Sequence, residues 1–143
     1  MDSETASAGR WPAIVAAVRS CVGTRFRPQG RTPGLGLDCV GVLLVAAAAA
    51  GVAVDTLPAY RLGGDLPDAP DLAAVLAGHG CRPVAQALPG DVLVIAPAAR
   101  QRHFGIVTTS GIVHAHAGLN RVVEGPIDPA WVIIGAWRLP GAR

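Results

Sequence analysis

Apolar residues along this chain follow a helical spacing first and an alternating one later. Ile14, Val15, Val18 and Val22 mark one helical face behind Trp11-Pro12. This predicts a helix from Trp11, with Pro12 tolerated in the first turn and Gly23 ending it. Thr24 to Gly36, rich in glycine and proline, reads as a loop. Asp38 then stands as an N-cap, able to accept from the free N–H groups of a first turn that begins with Cys39. The apolar run Val42 to Ala50 predicts a buried helix stopping near Gly51. Val52 to Pro70 is irregular, broken by Pro58, Gly63-Gly64, Pro67 and Pro70, and Asp71 to Ala77 is a short helix closed by Gly78.

From there strands are predicted. Arg82 to Ala85 reads as a short strand, Leu88-Pro89-Gly90-Asp91 as a turn, and Val92 to Ile95 as a buried strand. His103 to Thr108 and Gly111 to Ala117 form a hairpin, followed by strands at Arg121 to Glu124 and Trp131 to Leu139. Helices first and then strands joined by short turns imply an α+β fold, with N-terminal helices packed on a C-terminal antiparallel sheet. No internal repeat is visible. Residues 1–9 read as a disordered leader, and residues 10–143 as a single domain.

Composition narrows the function. The chain is 51% hydrophobic and 15% charged, with a net charge of +2 and arginine as its basic residue in place of lysine. The arginines are scattered, which argues against a nucleic-acid binder held by phosphate contacts. Cys21, Cys39 and Cys81 make an odd count without framework spacing, so at least one thiol is free. The N-terminus lacks the basic and apolar regions of a secretion signal, which predicts synthesis in the cytoplasm. The apolar stretch Val40 to Val54 is too short to span a bilayer, so no membrane insertion is expected.

The chemistry gathers on one thiol and three histidines. Cys39, in the first turn of a helix, lies where the macrodipole and unpaired N–H groups stabilise a thiolate. His114 and His116 share a strand face, and a two-residue hairpin puts His103 on that face too. A cysteine with a same-face histidine pair supplies a nucleophile, its base and a group to orient the base. A turn at Thr109-Ser110 would pair Gly105 with His114; a turn at Ser110-Gly111 would pair it with His116. Glycine in the turn favours the second. Gly105 would leave room for a neighbouring ring or substrate. The rival assignment of Cys39, His103, His114 and His116 to zinc lacks an accompanying carboxylate and a known zinc-site spacing, so no metal is assigned. His79, Cys21 and Cys81 read as structural.

Gly23-Thr24-Arg25-Phe26, Leu37-Asp38-Cys39-Val40-Gly41, Pro89-Gly90-Asp91-Val92-Leu93, His103-Phe104-Gly105-Ile106-Val107 and Ile112-Val113-His114-Ala115 occur in this order from Trp11 to Pro140. Together they resemble the NlpC family of papain-like cell-wall cysteine peptidases. The ending, Val122-Val123-Glu124-Gly125-Pro126 and Trp137-Arg138-Leu139-Pro140, is similar to the compact branch of phage tails and gene-transfer agents. The resemblance implies Cys39 as nucleophile, His103 as base and acid, and His114 as orienting member, with His116 a secondary candidate. It implies no cofactor, and as substrate a peptidoglycan stem peptide cut next to D-glutamate. Asp38, Phe26 and Val40 would line the substrate and oxyanion region. Phe26 stands where many members carry tyrosine and Val40 where many carry serine, which puts the usual substrate preference in doubt.

The resemblance further implies a virion component aiding entry through a recipient wall, incorporated in a phage-like tail particle with a tail hub or baseplate protein as partner. The loop Arg25 to Arg31 and the segment Leu57 to Pro70 are the expected docking surfaces. The alternative is a structural tail-assembly protein that keeps a peptidase fold with little activity. The same machinery would also serve acyl transfer to an amine.

Overall fold

A computed structural model describes residues 9–54, 69–97 and 101–143. The expected leader, Gly9 excepted, and the proline-rich segment up to residue 68 lie outside the described residues.

Helix α1 (Trp11–Arg19) buries Ile14, Val15 and Val18 on the predicted stripe. Helix α2 (Cys39–Ala49) has its N-terminus capped by Asp38, whose carboxylate accepts from the Gly41 N–H at 2.8 Å. Its C-terminus closes on Gly51, held at φ +78°, where the Gly51 and Val52 N–H groups return to the Ala48 and Ala47 carbonyls. Helix α3 (Ala69–Gly78) buries Leu72 and Leu76.

The loop expected over Thr24 to Gly36 contains a small antiparallel pair, β1 (Arg31–Thr32) and β2 (Gly36–Leu37). Its glycines permit close approach. A Cβ on Gly30 would stand 2.5 Å from the Gly36 carbonyl oxygen, and one on Gly41 2.3 Å from that of Gly30. Residues that look like loop punctuation in sequence therefore let this pair pack on the first turn of α2.

Six strands make the main sheet: β3 (Arg82–Pro83), β4 (Val92–Ala96), β5 (His103–Thr108), β6 (Gly111–His116), β7 (Arg121–Gly125) and β8 (Val132–Arg138). Their order is β3-β8-β4-β5-β6-β7, antiparallel throughout. One face carries Val92, Val94, Phe104, Ile106, Val113, Ala115 and Val122 into a core shared with the helices. The other carries Leu93, Ile95, Val107, Ile112 and Ala136, partly covered by Ile127 and Trp131. Asp91, fully buried, anchors the β4 entrance to β8: Arg138 donates to both its carboxylate oxygens, at 2.9 and 2.8 Å, and the Leu88 N–H donates at 2.8 Å. Removing one partner of such a buried pair costs about 3–5 kcal/mol.

Of the two hairpin registers, the structure has the one on the side of His114: Ile106 pairs with Val113 and Thr108 with Gly111, so the turn is Thr109-Ser110, against the preference for glycine in the turn. Gly111, at φ +140°, instead lets β6 lie against β7; a Cβ there would be 2.1 Å from the Gly125 carbonyl oxygen. The room at Gly105 is taken by a residue of the hairpin itself, since a Cβ on it would fall 2.2 Å from Ile112 Cδ1.

Candidate active site

Strand alternation places His103, His114 and His116 on the sheet face opposite the one covered by the helices, whereas Cys39 belongs to the helix-side core. The two meet because β5 and β6 part. Their ladder ends at Ile106 and Val113, while β5 remains paired to β4 as far as His103, and β6 to β7 as far as His116. The Val107 N–H is used by Asp91, on the β4 side. Alternation therefore turns the Phe104 N–H toward β6, at the end of the ladder. The backbone N–H groups of Phe104, Val40 and Cys39 favour the thiolate and work against its burial. The Cys39 thiol, almost fully buried, lies at the floor shared by the helix-side core and the histidine face. It opens on a cavity of about 290 Å³ whose walls include Phe26, His103, His114, His116 and Trp131.

Burial pushes the Cys39 thiol up to about 11, and the Asp38 carboxylate adds to the rise against the lowering effect of the surrounding N–H groups. Burial, then the neighbouring His114 and His116 rings, hold His103 down at about 4; burial and His116 do the same for His114. The resting site is a neutral thiol beside neutral imidazoles. No hydrogen bond joins the Cys39 thiol to His103 among the described residues.

The ring nitrogens divide their roles. His103 Nε2 lies 3.0 Å from His114 Nδ1. One of these two nitrogens carries the shared proton; with it on His103 Nε2, Nδ1 of His103 keeps a lone pair. His114 is 6% exposed, and the Trp131 indole meets it edge-on at 5.2 Å between ring centres. His116 turns elsewhere: its Nδ1 accepts the Leu119 N–H at 3.1 Å, holding the β6–β7 turn. Among the described residues no group of three or more His, Cys, Asp or Glu side chains has the geometry to hold a metal ion.

The residues expected around the substrate diverge. Phe26 lines the cavity. Asp38 borders it, but its carboxylate is engaged by Gly41, by the Gln29 N–H at 2.7 Å and by Arg31 at 2.9 Å. Val40 is buried in the helix-side core and is not among the residues that line the cavity. Cys21, Cys81 and His79 lie away from the cavity, and His79 Nδ1 bonds the Val75 carbonyl at 2.8 Å. Two residues were missed by sequence reasoning, Trp131 as the wall against His114 and Arg31 as the partner of Asp38. Neither stands in a motif, and no local signal marks them.

No protein-family model and no curated protein matches this chain. Solved structures do. Over 92% of this chain, NlpC2 from Trichomonas vaginalis superposes with a TM-score of 0.66 and 16% identity, and NlpC1 from the same organism with 0.67 and 16%. The chain spans under half of either protein, 46% and 44% of their lengths. At that identity the likeness speaks to architecture, and the architecture is an NlpC-like, papain-like α+β fold.

Proposed function

We propose that the protein is a cysteine peptidase acting on peptidoglycan stem peptides. The observation that carries this reading is the His103–His114 hydrogen bond of 3.0 Å, in a cavity that also receives the Cys39 thiol from the start of α2. His103 Nδ1 takes the thiol proton, and the imidazolium is held through its Nε2–H by His114. Cys39 then attacks the peptide carbonyl, and His103 protonates the leaving amine and activates the water that releases the acyl group. The Cys39 backbone N–H, at a helix start, serves as an oxyanion donor. Burial opposes either charge alone, so thiolate and imidazolium form together as substrate closes the cavity. D-glutamate beside the scissile bond follows from the sequence resemblance, as does action at a phage-like tail tip docked on a hub or baseplate protein.

A second reading, a tail-assembly protein with little activity, is favoured by one observation: Cys39 is only 4% exposed and its thiol is held protonated well above neutrality. Digestion of purified sacculi, with mass analysis of the fragments, decides between them. The peptidase reading expects stem-peptide cleavage that Cys39→Ala abolishes without loss of fold. Fragment release at the parent rate by Cys39→Ala, or none by the parent, overturns it. Co-sedimentation with assembled tails tests the placement, and a protein found only free of particles sinks it.

A further inference from the structure

The histidine face continues past the cavity. His116 lies directly across from Arg121 on β7, and Arg121 directly across from Arg25 in the chain leading to β1. Partners in register share a face, so Arg121 and Arg25 extend the row of histidines toward the sheet edge. The Val122 N–H donates to the Thr24 carbonyl at 2.8 Å and the Phe26 N–H to the Asn120 carbonyl at 2.9 Å. These bonds flank the arginines, which makes them a non-hydrogen-bonded pair, the kind with the closest side chains. Like charges directly opposed are destabilising. Both residues are exposed, and neither makes an ion pair with any described residue. Phe26, next to Arg25, and Gly118, at the turn before Arg121, both line the cavity.

We propose that Arg25 and Arg121 form a carboxylate-binding subsite that recognises an acidic peptide running from the cavity past His116. This rests on the peptidase reading and names the feature of the stem peptide that the site selects. Two strand spacings separate β6 from Arg25, about 10 Å. One carboxylate between two guanidinium groups relieves their repulsion and accepts charge-assisted hydrogen bonds from both.

The test is binding, measured by calorimetry on Cys39→Ala so that turnover does not interfere. The probes are L-alanyl-γ-D-glutamyl-meso-diaminopimelyl-D-alanine, the same peptide with its carboxylates amidated, and inorganic phosphate. Adding Arg25→Gln and Arg121→Gln together is expected to weaken the acidic peptide about tenfold, in line with loss of hydrogen bonds to a charged group. The amidated peptide should bind both proteins alike. Equal affinity of the acidic peptide for both, an equal loss for the amidated peptide, or phosphate binding tighter than the peptide overturns the assignment. Melting temperature should hold or rise in the double variant, since like charges are removed; each single variant is measured as well, and is expected to show part of the same loss. Failure of sacculus digestion with this binding difference intact would sink the peptidase reading alone.

Discussion

The two faces of the main sheet are built from the same strands and behave as different materials. The helix face is filled by Val92, Val94, Phe104, Ile106, Val113 and Val122, all buried and closed over by α1 and α2. The opposite face carries His103, His114, His116 and Arg121 among its apolar residues, and it opens on a cavity. The first face contributes stability by burial. The second gives some of that up to hold polar groups, and the part of it nearest Cys39 is where β5 and β6 separate. One cysteine, packed in the helix-side core and lining that cavity, belongs to both.

That contrast is breakable in order of expected effect. On the histidine face, His103→Ala should lower the rate of sacculus digestion by at least about a thousandfold, the scale of losing a member of a catalytic set, with melting temperature little changed. An equal loss of stability would mean that the face is structural. On the helix face, Ile106→Ala should cost about 2–5 kcal/mol in denaturant unfolding, the range for a fully buried large-to-small change, with activity per folded molecule retained. Gly105→Ala sharpens the boundary between them. Its methyl group must displace the Ile112 side chain, for a cost of about 1–3 kcal/mol, and a crystal structure should show Ile112 moved toward Val107 or His114.

The contrast also shows in pH. His103 and His114 are held at about 4, below their unfolded value, so the unfolded chain binds more protons. The stability this confers is present above about pH 6.5, the ordinary histidine value, and is lost as pH falls toward about 4. Cys39 has the opposite sign of exposure. Its raised pKa gives stability present below the ordinary thiol value and lost as pH rises toward about 11. Melting temperature against pH should therefore fall at both ends. His103→Gln should flatten the acid limb and Cys39→Ala the alkaline one; unchanged limbs would refute the assignment of these groups as neutral and buried.

Much of this was legible in the amino-acid sequence, because it follows from local rules. The Asp38 cap, Cys39 in the first turn, the Gly51 stop, the strands from His103 onward and the common face of three histidines all rest on dihedral preference and period. What local rules do not reach was decided by contacts between distant residues. The turn fell at Thr109-Ser110 because β6 must also fit β7, where Gly111 meets Gly125. Val40, placed beside the substrate by the family resemblance, packs in the helix-side core. Cys39 brought to the cavity of His103 and His114, Trp131 against His114 and Arg121 across from Arg25 each join separate segments of the chain. Such pairings are selected by the packing of the whole sheet, and no window of sequence contains both partners.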